Sequence, residues 1–211
     1  MNIELDHFFI LVEPGAKAAD RLLDLGLKES FSRIHKGQGT TNRRFAFANS
    51  LLEFLWVHDE QEANTGPARD LNFPTRLTDL TASPFGIVLY RKDNEHPGMP
   101  FPGWSYQPEY FEPPWAFHIG DNANKLEEPL CIYVPFLEPI TRQSEPGRFR
   151  SIHKVTIHTP ANPLSNTIEC VNKADRIEIL YGDQHLMEIR FENSQGETHD
   201  FRPELPLIIY G

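Results

Sequence analysis

The first ten structured positions, Ile3 to Val12, read I-E-L-D-H-F-F-I-L-V. As a strand they put Leu5, His7, Phe9 and Leu11 on one side and Phe8, Ile10 and Val12 on the other. Both sides are apolar, so the strand is expected to be covered on both. His7 is then a lone imidazole in a stretch built for burial. Glu13-Pro14-Gly15 breaks the pattern, Ala16 to Leu25 carries a leucine stripe suited to a helix, and Gly26 ends it. A loose strand follows from Leu27 to Ile34. Then come a polar, glycine-bearing connection from His35 to Asn42, a strand at Arg44 to Phe47, a turn, and a strand at Leu51 to Val57. In that last strand Glu53 is the only charge, and it shares a face with Leu51, Leu55 and Val57. A buried carboxylate costs several kcal/mol unless it is paired, hydrogen-bonded or metal-bound. Residues 3–57 therefore spell strand, helix, strand, strand, strand.

Residues 58–82 are polar, with a short helix expected at Thr75 to Leu80, and Pro84 to Tyr90 restarts strand structure. Between Pro97 and Pro146 lie 10 of the 18 prolines, which excludes long helices and favours short edge strands. The strands expected there are Trp104 to Gln107, Trp115 to Ile119 and Leu130 to Phe136. The many aromatic residues among them can wall a pocket or fill a core. Thr141 to Arg150 reads as a polar connection. The remainder repeats the opening: a strand at Ile152 to Thr159, a helix at Asn162 to Asn172, then strands at Arg176 to Tyr181, His185 to Glu192 and Phe201 to Tyr210. L-D-H-F-F-I-L-V-E-P-G from Leu5 aligns without a gap on S-I-H-K-V-T-I-H-T-P-A from Ser151, which places His7 on His153. The expected organisation is a first module at 1–60, a linker helix and proline-rich β segment at 61–150, and a second βαβββ module at 151–211, all within one compact domain.

Composition narrows the function classes. The chain has 211 residues, 39% apolar and 24% charged, enough for a packed core. A net charge of −10 argues against nucleic-acid and anionic-membrane partners. No run of about 18 apolar residues occurs, and the N-terminus lacks a signal-peptide pattern. Cys131 and Cys170 lie far apart in apolar surroundings, which suits reduced thiols and a cytoplasmic setting. Gly37-x-Gly39 is not a phosphate loop, and neither a Gly-x-Ser-x-Gly turn nor a Cys–His dyad is present.

L-D-H-F-F-I-L-V, H-K-G-Q-G-T-T-N-R-R-F-A-F, L-L-E-F-L-W-V, P-F-G-I-V-L-Y and R-P-E-L-P-L-I-I-Y together resemble the vicinal oxygen chelate superfamily, in its glyoxalase-like-domain branch. The resemblance implies an α+β fold in which paired βαβββ modules curl into a half-barrel. It also implies a divalent metal (Zn, Ni, Mn or Fe) in the cavity, held by His or Gln on first strands and Glu on last strands. His7 and Glu53 occupy those positions, and His153 is the third candidate through the internal repeat. The other ligands depend on which segment is the partner module. In 151–211 the last strand offers only Glu204 at its edge, and Glu188 lies on the third strand. In 83–137 the matching strands offer Phe85 and Gly86, and Tyr133 where a carboxylate is wanted. His118 is a reserve ligand.

Two functions are expected from these residues. The first is a metal-assisted lyase, isomerase or dioxygenase acting on a substrate with adjacent oxygens, Glu53 being able to shuttle a proton. The second is a metal-free protein that binds or sequesters a small aromatic ligand. His35, Gln38, Thr40 and Asn42 are the expected ligand-contacting residues, around glycines that let a ligand approach the backbone. A homodimer is what the family resemblance implies for assembly.

Overall fold

The first strand, β1 (Ile3–Leu11), lies near the middle of an eight-stranded mixed sheet in the computed structural model, which describes residues 2–92, 98–138 and 149–211. The other strands of that sheet are β2 (Ile34–His35), β3 (Thr40–Ala46), β4 (Leu51–Val57), β5 (Phe85–Arg91), β6 (Gly103–Tyr106), β7 (Phe117–Gly120) and β8 (Leu130–Val134). Their order is β2-β3-β4-β1-β5-β8-β7-β6, curled into a half-barrel. The order is symmetric about the β1/β5 junction. β1 runs parallel to β4 and β5 parallel to β8, while β1 and β5 are antiparallel to each other. Residues 85–134 are thus the partner of residues 3–57 within the half-barrel.

The expected helix at 16–25 is a 3-10 turn, Lys17–Ala19, running into the short α1 (Asp20–Asp24). Residues 27–33 form no strand beyond a single bridge from Glu29 to Phe45. Helices α2 (Glu60–Ala63) and α3 (Phe73–Thr78) follow β4. The polar connection expected at Thr141 to Arg150 lies, for residues 141–148, outside the described residues.

The C-terminal segment contains β9 (Ile152–Thr159), α4 (Asn166–Val171), β10 (Ile177–Tyr181), β11 (Leu186–Phe191), β12 (Thr198–Asp200) and β13 (Leu207–Tyr210). These strands make a separate five-stranded sheet in the order β10-β9-β11-β13-β12. It copies the centre of the half-barrel: β9 is parallel to β10, antiparallel to β11, and β11 is parallel to β13. The alignment of His7 with His153 therefore joins equivalent strands, but strands of two different sheets. Leu5, Phe8 and Ile10 of β1 pack with Val155, Ile157, Ile189 and Leu207 of the second sheet in one core. The opposite face of β1, with Phe9 and Leu11, joins Leu55, Val88, Ile132 and Val134 in a second core that lines the inside of the half-barrel.

Candidate functional site

The site begins with a bulge. Pairing of β1 with β5 sets Leu5 opposite Leu89 and His7 opposite Val88, leaving Asp6 as the extra residue. A bulge turns consecutive side chains toward one face. Leu5 consequently joins the outer core, contrary to strict alternation, while Asp6 and His7 both line the cavity inside the half-barrel. The buried Asp6 carboxylate accepts a hydrogen bond from His7 Nδ1 at 2.5 Å between Oδ2 and the ring nitrogen. Ser50 Oγ donates to the Asp6 carbonyl, fixing the bulge from β4's side. Among the described residues no protein partner is placed on His7 Nε2, so the ring offers that atom to the cavity.

Glu53 enters from β4, opposite Phe9 on β1 and opposite Arg44 on β3. Its Oε1 is 2.9 Å from Arg44 Nε, and its Oε2 accepts from Asn42 Nδ2 at 3.0 Å. All three side chains are buried. Alternation along β4 places Glu53 and Leu55 on the cavity wall, as the sequence pattern requires. Glu53 is therefore held by a cross-strand guanidinium and an amide, and His7 by Asp6; the two do not pair with each other.

The β2–β3 hairpin supplies the next wall. His35 and Gln38 face the cavity, whereas Thr40 and Asn42 are fully buried behind them. Thr40 Oγ1 lies 2.9 Å from His35 Nδ1 and accepts from Gln38 Nε2 at 2.7 Å. Gln38 Oε1 accepts from the hydroxyls of Tyr106 and Tyr110, each at 3.3 Å. Burial pushes both phenols well above their ordinary range, so they remain protonated donors. Burial likewise lowers the pKa of His35 to about 4; Glu53 opposes this, and Arg44, Arg33 and His7 reinforce it. The glycines of this hairpin admit protein, not ligand. A Cβ on Gly39, whose φ is +69°, would sit 2.3 Å from the Asp59 carbonyl, and one on Gly37 would strike the Glu109 side chain.

The cavity has a volume of about 180 Å³. Apolar rings from Phe9, Phe73, Phe111, Phe117 and Phe136 surround the polar end. The Phe9 ring lies across Gly86 of β5, where a Cβ would come within 1.9 Å of it. Arg33 stands at the edge with its guanidinium 4.8 Å from the Tyr110 ring centroid, and among the described residues no carboxylate pairs with it.

His153 does not reach this place. It is the bulged residue of β9, lies on the exposed side of the five-stranded sheet and is not among the cavity residues. His118 is buried elsewhere, stacked on Phe101 with Nε2 2.9 Å from the Phe101 carbonyl. The cavity residues that sequence reasoning missed are Asp6, Arg33 and Arg44, while Tyr106 and Tyr110 come from the aromatic group expected to wall a pocket or fill a core. The signal for Arg44 was present, since Asn42 and Arg44 alternate with apolar Phe45 on a strand next to Glu53. Nothing in the sequence marks Tyr106 and Tyr110 apart from their neighbours.

The donors do not fit a divalent metal. In the second unit, β5 and β8 hold the places of β1 and β4, and toward the cavity they carry Val88, Ile132 and Val134. Among the described residues no three His, Cys, Asp or Glu side chains are grouped to hold an ion. A tetrahedral or octahedral ion needs at least four donors. Here the cavity wall carries two imidazoles and two carboxylates, but Asp6 is engaged by His7, Glu53 by Arg44 and Asn42, and His35 Nδ1 by Thr40.

Residues 5–93 match the family model described as a glyoxalase-like domain. The match covers 89 of the 211 residues. The half-barrel around this segment is the curled mixed sheet of an α+β fold, as expected from the sequence. A hypothetical protein from Staphylococcus aureus shares the fold over the whole length, with 14% identity, 99% of each chain covered and a TM-score of 0.55. Weaker likenesses extend to methylmalonyl-CoA epimerase from Mycobacterium tuberculosis (14% identity, 65% of this chain and 88% of that chain, TM-score 0.38). They extend also to a mutant 4-hydroxymandelate synthase from Streptomyces coelicolor (13% identity, 99% of this chain and 62% of that chain, TM-score 0.44). No curated protein matches the chain significantly. Among the described residues no helix is long and apolar enough to cross a membrane.

Proposed function

We propose that the glyoxalase-like half-barrel is the active site of a small-molecule enzyme in which His7, oriented by Asp6, transfers a proton. The observation that carries this reading is the 2.5 Å contact between His7 Nδ1 and the Asp6 carboxylate at the wall of an aromatic cavity. A carboxylate accepts only, so the proton sits on Nδ1 and the Nε2 lone pair faces the cavity.

The walls describe the ligand. A cavity of about 150 Å³ lined by apolar side chains admits benzene, so a volume of about 180 Å³ suits a single ring with a short side chain. Arg33 at the edge suits a carboxylate on that side chain. The aromatic lining also favours the second reading, a protein that binds such a ligand without turnover. For the metal-assisted reading, the donors described above supply too few ligands, and no step is assigned to an ion.

Calorimetric titration with 3-phenylpropionate, 3-phenylpropanol and hexanoate tests the site. 3-Phenylpropionate is expected to bind best, and Arg33→Ala to weaken it while leaving 3-phenylpropanol unaffected. Equal binding of all three, or none of any, would refute the ligand assignment. Proton transfer is read from the solvent exchange of an acidic C–H in a bound probe. Binding without exchange leaves the sequestering protein as the function.

A further inference from the structure

The bulge that carries Asp6 sits where β1 changes partners. β5 runs along one edge of β1 from Ile3 to Ile10. On the other edge β4 begins only at Phe8, opposite Leu52. Ahead of the bulge that edge is taken by the turn that leads into β10 of the second sheet. Glu4 bridges Asp175 in parallel, Asp175 N–H donates to the Ile3 carbonyl at 3.1 Å, and Leu5 N–H donates to the Asp175 carbonyl at 3.4 Å. Arg176 spans the change of partner. Its Nη2 donates to the Leu5 carbonyl at 3.2 Å and to the Asn49 carbonyl at 3.3 Å. Leu5 is the last residue before the bulge. Asn49 precedes Ser50, whose Oγ donates to the Asp6 carbonyl at 3.0 Å. The Asn49 side chain is itself docked on the second sheet, donating to the Ile152 carbonyl at 2.8 Å and accepting from the Ile152 N–H at 2.9 Å.

The backbone of Arg176 belongs to the second sheet and its side chain to the first. Val155 N–H donates to the Arg176 carbonyl at 2.8 Å, next to the first β9–β10 pair. The residue has φ +66°, a left-handed conformation that a long L side chain seldom adopts and that persists where the surroundings over-determine it. Nη1 pairs with the buried Glu4 carboxylate, which also accepts from the Tyr90 hydroxyl at 2.7 Å and lies 3.4 Å from Lys92 Nζ. A planar guanidinium can hold a carboxylate and two carbonyls in one fixed arrangement, which a single ammonium cannot. A bulge lasts only while the segments on its two sides are kept out of straight register. Here Asp175 fixes Ile3 to Leu5, β4 fixes Phe8 to Leu11, and Arg176 ties the two together.

We propose that Arg176 is a positioning residue of the cavity: from the second sheet it holds the Leu5 and Asn49 carbonyls together and so maintains the bulge that puts the Asp6 carboxylate on His7. It is not among the cavity residues and acts only through Leu5 and Asn49. The inference rests on the reading of Asp6 and His7 as the proton-transfer group and adds what holds that group in place. It also gives the C-terminal segment a task in the site, although none of its described residues lines the cavity.

The state of the His7 ring reads this directly. Long-range proton–nitrogen correlation spectra of uniformly 15N-labelled full-length protein at pH 8, with the His7 signals assigned through His7→Ala, report which ring nitrogen carries the proton. Wild type is expected to show His7 protonated on Nδ1 alone. Arg176→Met keeps the alkyl stem and removes the guanidinium. It is expected to lose that pattern, giving the Nε2–H form or an average of the two tautomers. Arg176→Lys keeps a charge beside Glu4 without the fork, so it should lose the pattern as well, and it carries the test if Arg176→Met does not fold. Lys92→Met is the control: it removes the ion pairs of Lys92 with Glu4 and Asp175 but touches neither the Leu5 nor the Asn49 carbonyl. Its His7 pattern should match wild type. A wild-type pattern in either folded Arg176 variant overturns the proposal. An equal loss in Lys92→Met overturns it too, because a general loosening of the junction would then be the cause. The spectra need no ligand, so these failures leave the cavity reading standing. Failure of wild type to bind 3-phenylpropionate, read by calorimetry, refutes the cavity reading instead. A wild-type His7 protonated on Nε2 refutes the Asp6 orientation and this inference together.

Discussion

Asp6 and His7 are adjacent in sequence and face the same cavity, joined by a 2.5 Å hydrogen bond, because β1 bulges between Leu5 and His7. Without the bulge, alternation would send the carboxylate through the sheet to the outer core. One extra residue in the strand thus brings a carboxylate onto the cavity wall beside the histidine.

Asp6→Asn preserves the shape of the bulge and removes the acceptor-only carboxylate. An amide can present either its oxygen or its nitrogen to the ring, so the tautomer of His7 is no longer dictated. We expect solvent exchange of an acidic C–H in a bound probe to fall by roughly 10²-fold or more. An exchange rate equal to wild type would mean that Asp6 has no part in orienting His7.

The Arg44–Glu53 pair holds β3 and β4 together beneath the cavity, with both groups buried. Truncating one partner leaves the other charge buried and unpaired. Arg44→Ala is therefore expected to lower the unfolding free energy by about 3–5 kcal/mol, measured by urea denaturation. The double variant Arg44→Met with Glu53→Leu removes both charges and should recover most of that loss. If the single and double variants are equally unstable, lost packing rather than an uncompensated charge is the cause.

Much of this arrangement was legible in the chain. That His7 and Glu53 sit within covered strands followed from the apolar runs around them, and the half-barrel architecture followed from the motifs that carry them. The partner of the first unit was harder to see. β5 and β8 pair just as β1 and β4 do, yet their cavity side chains, Val88, Ile132 and Val134, bear no mark of a site. The stronger sequence echo, from Leu5 to Ser151, pointed instead to β9. That echo is real in topology, but sheet membership is decided by long-range packing, and β9 pairs with β10 and β11. The bulge that recruits Asp6 was invisible for a related reason: it depends on the register between β1 and β5, strands separated by most of the first half of the chain.

The donor geometry also makes a statement about metals that can be checked without any substrate. Protein purified without chelator is expected to contain no stoichiometric Zn, Ni, Mn or Fe by elemental analysis. Its thermal midpoint should not rise on adding these ions, since a ligand stabilises a protein only in proportion to its affinity for the folded state. Stoichiometric metal that disappears in both His7→Ala and Glu53→Gln would show that Glu53 leaves Arg44 to coordinate an ion.

His35 makes the folded protein sensitive to acid. Its ring is buried against Tyr110 and Thr40, and burial holds its pKa at about 4, below the 6.5 of an unfolded chain. Glu53 favours the charged ring, but Arg44, Arg33 and His7 disfavour it along with the burial. Between those two values the unfolded chain binds a proton that the folded chain refuses. Unfolding stability must therefore rise with pH from about 4 to about 6.5 and lose its dependence on this group above that window. The full difference is about 3 kcal/mol, available above pH 6.5 and gone by pH 4. Urea denaturation at a series of pH values reads the slope. His35→Phe keeps a ring against Tyr110 and cannot take up the proton, so it should flatten the curve in that window even if it lowers stability at pH 7. An undiminished slope in the variant would assign the acid sensitivity to other groups and would put a charged or solvated ring at position 35.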